Sequence, residues 1–277
     1  MGLAVIAMGF EPIAHGDDSE TGAGAGIEVG VVDAESSAAE AKAAAMKEDT
    51  AEALAILKVM SDFLAGQTVL RIDTDVSWDS VQVTGQRLEF GAHREVVMRR
   101  PDRVRIAGFR RSGEEATLYF DGKTISIDLP GEEAYVSLER PGNLEQALDY
   151  LVDDMQTPIP LADLLDADFY AELVPKVVSG FWVEESSCGE VFCDHIALRG
   201  DGIDAQMWIE QGDRPVPHRI VIDYARNRGA PQFRADITAW SFEPEAEDSL
   251  FVYEPPDGAE RIPMRAALEI KREESIR

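Results

Sequence analysis

Leu70-Arg71-Ile72-Asp73-Thr74-Asp75-Val76-Ser77-Trp78 places Leu70, Ile72, Val76 and Trp78 on one face of an extended chain and Arg71, Asp73, Asp75 and Ser77 on the other. A period of two with one polar side marks an antiparallel strand that packs on one face and is wetted on the other. Downstream, Leu88 to Arg99, Arg103 to Phe109, Ala116 to Phe120 and Thr124 to Leu129 read the same way, with turns at Pro101-Asp102 and Asp121-Gly122. Strands resume after Ser179: Phe181 to Glu185, Val191 to Arg199, Ile203 to Glu210, Pro217 to Tyr224 and Gln232 to Phe242. Gly202, Gly212-Asp213 and Asn227-Arg228-Gly229 supply the turns between them. In the last strand Phe233, Ala235, Ile237 and Ala239 are expected on one face. The pattern predicts a curved antiparallel sheet, with five strands before a helical insert and five after it, and it contains no spacing specific enough to name a reaction.

The insert runs from Asn143 to about Val178. Leu144, Ala147, Leu148 and Leu151 share a helical face, Pro158-Ile159-Pro160 breaks the run, and a second helical piece spans Leu161 to Val174. Either the two pieces form a flap over the sheet or they cap one end of a packed barrel. Upstream of the sheet, Asp49-Thr50-Ala51-Glu52 has the form of a helix start. Leu54, Leu57, Met60, Phe63 and Leu64 follow at helical spacing, and Gly66 closes a helix of about 15 residues. Residues 17–46, rich in Gly, Ala, Ser and acids, cannot bury enough surface to offset ordering entropy. The expected organisation is a flexible leader over 1–46, in which Leu3 to Met8 is either the remnant of a signal segment or plain leader, then a single domain over 47–264 and a tail over 265–277.

The 277 residues are 45% apolar, 8% aromatic and 29% charged, ample for a packed core in one large β domain. No run of about 18 apolar residues occurs, so no membrane-spanning helix is expected. Asp and Glu number 53 against 26 Lys and Arg, for a formal charge of −27. Such a surface repels phosphate backbones and forfeits the counterion release on which nucleic-acid affinity rests. No metal-binding helix motif or phosphate-cradling loop occurs, and neither a metal nor a cofactor is expected.

Cys188 and Cys193 lie in Ser187-Cys188-Gly189-Glu190-Val191-Phe192-Cys193-Asp194 between two strand-like runs, where a tight turn brings them into bridging range. A bridge there implies an oxidising compartment and contributes about 2 kcal/mol by chain entropy; the alternative is a reduced pair in a hairpin. As a zinc site the pair is incomplete, with only His195 and His218 near in sequence.

The fragments Arg99-Arg100-Pro101-Asp102, Tyr119-Phe120-Asp121-Gly122-Lys123, Pro160-Leu161-Ala162-Asp163-Leu164, Cys193-Asp194-His195, Asp204-Ala205-Gln206-Met207-Trp208-Ile209 and Phe251-Val252-Tyr253-Glu254-Pro255-Pro256-Asp257-Gly258-Ala259 occur in this order over roughly Ala51 to Met264. Their succession resembles a family of predicted periplasmic proteins of unknown function, a branch of the LolA/LolB-like superfamily of lipoprotein carriers. The resemblance implies a half-open antiparallel β-barrel covered by helices, a periplasmic location, and a hydrophobic ligand such as an acyl chain, with a lipoprotein or another envelope protein as partner. Fold alone does not transfer the carriers' function.

Trp78, Trp182, Trp208 and Trp240, together with Met207, are the candidate lining of a ligand cavity, or else ordinary packing. Met60, Met98 and Met155 would add a deformable wall. Arg99, Arg100 and Arg103 head the one basic concentration, with Arg105, Arg110 and Arg111 behind them. They either meet an anionic headgroup or an acidic partner, or they balance neighbouring carboxylates. His195, Asp204 and Gln206 are expected as a polar cluster, with a His195–Asp204 pair fixing strand register. The expected function is an exported protein, not an enzyme, that binds a hydrophobic ligand as a carrier or chaperone does; the alternative is an envelope sensor or scaffold acting through protein contacts without a ligand.

Overall fold

The computed structural model describes residues 32–154 and 161–264. The leader through residue 31, Met155, the Pro158-Ile159-Pro160 break and the tail 265–277 lie outside the described residues. Among the described residues twelve strands form one sheet: β1 Val69–Val81, β2 Arg87–Arg99, β3 Arg103–Arg110, β4 Glu115–Phe120, β5 Thr124–Leu129, β6 Ala134–Glu139, β7 Val177–Cys188, β8 Val191–Gly200, β9 Asp204–Glu210, β10 Pro217–Asp223, β11 Gln232–Ser241 and β12 Glu260–Arg261. Their order is β12-β6-β5-β4-β3-β2-β1-β11-β10-β9-β8-β7. Two meanders thus meet where β11 returns beside β1. All neighbours are antiparallel except β12 on β6. The two ends of the sheet do not join, so the barrel stays half open, as expected.

Strand β6 goes beyond the expected count, and six strands precede the insert. The reason is local: the Pro130–Glu132 turn leaves only Ala134 and Val136 as a buried pair, too short an alternation to stand out. Strand β1 is built as its pattern dictates, with Leu70, Ile72, Val76 and Trp78 buried. Thr74 joins them, its hydroxyl donating to the Asp236 carbonyl at 3.0 Å. A bulge in β11 corrects the expected face of Ala239. Thr74 pairs with Ile237 but Asp73 pairs with Ala239, leaving Thr238 as the extra residue. Trp240, opposite Ile72, takes the inner face that simple alternation would have given to Ala239.

Helix α1, Val32–Ala65, begins well upstream of the expected start at Asp49, so the segment 32–46 is helical. Ala53, Leu57, Met60 and Leu64 are fully buried, with Leu54 and Phe63 flanking them. Burial of a side chain such as Leu57 is worth about 1.5–3 kcal/mol, so these four seat the helix firmly. The helix packs on β7, β8 and β9. Thr50, read as part of a helix start, instead accepts the Gly180 N–H of β7 at 3.0 Å and donates to the Met46 carbonyl at 2.7 Å. Gly180 admits this approach because a Cβ there would stand 3.5 Å from the Ala53 Cβ and 2.7 Å from Leu198 Cδ2.

The insert opens with α2, Leu144–Asp149. Asn143 accepts from the Gln146 N–H at 2.9 Å while Gln146 Oε1 accepts from the Asn143 N–H at 3.1 Å, a reciprocal cap. A wide turn of π type, Tyr150–Asp154, follows. The single helical piece expected over Leu161 to Val174 is instead a 3₁₀ turn, Ala162–Leu165, and a short helix α3, Phe169–Leu173. Leu144, Leu148, Leu151, Leu164, Leu165 and Phe169 pack into the same core as α1 and the inner face of the sheet.

Candidate functional site

The concave wall is one apolar surface running from Phe120 and Ile125 to Ile196 and Leu198, roofed by α1 and the insert. Of the candidate lining residues, Trp78, Met207 and Trp240 face it. Trp78 stacks on Phe90 at 6.3 Å, and Trp240 stacks on Phe242 at 5.9 Å while its indole N–H donates to the Pro217 carbonyl at 3.0 Å. Trp208 is a correction: beside Met207 on one strand it must point the other way, and it lies on the convex face against His195 at 3.9 Å. Trp182 has the concave register, opposite Ile196, but sits at the β7 edge, 40% exposed, donating to Asp194 Oδ1 at 2.9 Å.

Arg94 is absent from the candidates that the sequence singles out. Phe90, Ala92, Arg94, Val96 and Met98 share the inner side of β2, so this guanidinium stands on the apolar wall itself. The signal for it is a charged member in an otherwise apolar alternate series.

On the convex face Cys193, His195, Gln206 and Trp208 do coincide, but not as the expected pair. His195 Nε2 meets Gln206 Oε1 at 3.1 Å. Asp204 turns instead to Arg199, in two bonds of 2.9 and 2.8 Å, and this ion pair holds its carboxyl below the usual range. Guanidinium geometry favours that fork over a single imidazole bond. Burial lowers the His195 pKa. Cys188 and Cys193 are bridged across the β7–β8 hairpin with Cα atoms 6.0 Å apart. The thiol is therefore consumed, and Cys193, His195 and Asp204 do not form a nucleophilic relay.

The arginines are tied down locally. Arg99 bonds Asp248 and, at 2.6 Å, the Ala246 carbonyl. Arg100 Nε donates to the Gln67 carbonyl at 3.3 Å, and Arg103 meets Asp102 at 2.8 Å. Arg105 meets Glu95 at 2.6 Å and Arg111 meets Glu89 at 3.1 Å. Arg99, Arg103, Arg105 and Arg111 thus each meet a carboxylate, whereas Arg100 meets a carbonyl and keeps a buried Nη2 without a hydrogen bond.

A groove of about 470 Å³ lies on the convex side, between β1, β2, β11 and the Pro244–Leu250 segment. Arg71 lines it and bridges Asp73 at 3.0 Å and Glu95 at 2.8 Å, beside apolar Val97, Ala239 and Leu250, and the Asp73 bond raises the guanidinium's pKa. Among the described residues no group of three or more His, Cys, Asp or Glu side chains is placed to hold a metal ion.

An open, curved antiparallel sheet with its apolar concavity under helices is a half barrel. The chain belongs to the family described as predicted periplasmic protein (DUF2092), whose model matches residues 53–265. The location is thus periplasmic by family description, in keeping with the Cys188–Cys193 bridge. Among the described residues no helix is long and apolar enough to cross a membrane. Similar solved structures include LprF from Mycobacterium bovis, with 15% identity and a TM-score of 0.45 over 76% of this chain and 99% of that one. An uncharacterised conserved protein from Thermus thermophilus has 12% identity and a TM-score of 0.44 over 76% and 98%. The LolA superfamily protein NE2245 from Nitrosomonas europaea has 13% identity and a TM-score of 0.34 over 73% and 97%. No curated protein matches the chain.

Proposed function

We propose that the protein is a periplasmic carrier-like module that shelters a hydrophobic ligand, an acyl chain or a lipid-modified polypeptide, against its concave wall. One observation carries this reading. Beside the long α1, the inner wall of an open sheet is roofed by the short helical pieces of the insert rather than by a second sheet: α2 has 6 residues and α3 has 5. Helices of that length hold only through the side chains they bury. Leu148, Leu151 and Phe169 fill the wall in this structure, and an acyl chain taking their place leaves the buried apolar area little changed. The insert is therefore the element expected to yield. Protein purified without denaturant and extracted with organic solvent should release lipid detectable by mass spectrometry, and labelled hexadecanoic acid should bind it. Trp78→Ala and Trp240→Ala should each weaken that binding severalfold. Absence of both extracted lipid and binding would end the reading.

A second reading rests on a different observation. Strand β7 is a sheet edge, and Val178 is 71% exposed, Phe181 51% and, on β8, Phe192 59%. Exposed apolar side chains along an unpaired edge suit an envelope sensor or scaffold acting by protein contact. Cross-linking from this edge should capture one stoichiometric partner and lose it in Phe181→Asp; capture that survives the substitution counts against it.

A further inference from the structure

Among the described residues, the inner wall carries one charge without a partner. Arg94 stands at mid-strand on β2, with Thr74 of β1 opposite on one side and Gly108 of β3 on the other. Its Nε is fully buried with no hydrogen bond. Its two Nη atoms are not sealed off, and no carboxylate or carbonyl among the described residues meets them. The Thr74 hydroxyl is already committed to the Asp236 carbonyl. The guanidinium lies against Gly108, where a Cβ would come within 1.8 Å of Nη1, so the absent side chain makes the room. Two residues along β3, Arg110 is held by Glu114 at 3.4 Å and lies over the Trp78 ring. Burial, with the like charge of Arg110, brings the Arg94 pKa down to about 10, so the group remains a cation at neutral pH.

A desolvated, unpaired cation on a greasy wall is unfavourable by itself and strongly favours an anion that arrives with its own apolar body. We infer that Arg94 forms an oxyanion subsite on the concave wall, taking the carboxylate or phosphate of an acyl-bearing amphiphile whose chain lies along the apolar surface. This rests on the carrier reading above and narrows it from any hydrophobic ligand to a singly headed anionic one. A chain with a net charge of −27 repels such ligands at its surface, so selection for the anion is made inside.

The test compares labelled hexadecanoic acid with its methyl ester on the full chain. Wild type should bind the acid about tenfold tighter than the ester, the yield of one charge-assisted bond. Arg94→Met should lose that preference, and Arg94→Lys should retain part of it. Gly108→Ala, which displaces the guanidinium while leaving it charged, should also lower the preference, with circular dichroism reporting an intact fold for each variant. Equal binding of acid and ester by wild type, or an acid preference that survives in Arg94→Met, overturns the subsite and leaves the carrier reading standing. If neither ligand binds, the carrier reading loses its binding support and is left to the lipid extraction, and inorganic phosphate decides the subsite. A melting temperature raised by phosphate over chloride at equal ionic strength in wild type, and not in Arg94→Met, retains it as a site for a free anion. No such rise removes it too.

Discussion

His195 illustrates how one buried side chain sets a pH response. It is 8% exposed, with Nε2 bonded to Gln206, Nδ1 without a partner among the described residues and its ring stacked on Trp208. Burial holds its pKa below the ordinary 6.5. The unfolded chain therefore takes up this proton first as pH falls, so the stabilisation from a neutral buried imidazole is present above 6.5 and is lost as pH drops through the lower folded value. His195→Gln should leave the stability difference from wild type flat between about pH 7 and 8 and should shift it in favour of the variant below about pH 6.5, read from urea midpoints. A difference that does not change with pH would show that burial is not acting on this ring. At this scale the sequence was half legible. The alternation put Cys193 and His195 on one side of β8, but choosing Gln206 over Asp204 as partner needed Arg199, which captures the carboxylate in a two-pronged contact.

Helix α1 was legible by its apolar spacing, and its seat was not. The seat is Gly180, where Thr50 crosses to the edge strand and Ala53 lies close. A Cβ at that position would press on Leu198 Cδ2 at 2.7 Å and on the Ala197 carbonyl oxygen at 3.1 Å. Gly180→Ala should therefore destabilise the protein by about 1–3 kcal/mol, with amide exchange in α1 accelerated ahead of that in β1 and β2. Unchanged stability would mean that the helix does not bear on β7 there. The same helix closes part of an edge that would otherwise offer its backbone groups to another chain, a covering device that no property of Thr50 in isolation announces. The bulge at Thr238 is a comparable case. One extra residue moves Trp240 onto the concave wall and Ala239 off it, and only strand pairing exposes the slip.

The whole molecule is an open sheet whose two meanders share one concave core, stapled at one end by the Cys188–Cys193 bridge. Because the bridge spans a sequence separation of only 5, replacing both cysteines with serine should lower stability by about 2 kcal/mol in denaturant unfolding and leave the sheet in place. Loss of the fold would mean that the hairpin nucleates far more than itself. Period-two alternation, turn residues and cysteine spacing are local properties, and from them the sequence by itself determined a curved antiparallel sheet with a helical insert and a cysteine pair within bridging range, while the half-open, helix-covered form was implied by the resemblance of its ordered fragments to a family. Tertiary structure alone decided which tryptophans share the concavity, which acid each arginine meets, and that Arg94 stands on the apolar wall with no acid among the described residues. Those outcomes depend on register and on competition between residues distant in the chain, and a single bulge reverses a face while a single well-placed guanidinium redirects a carboxylate.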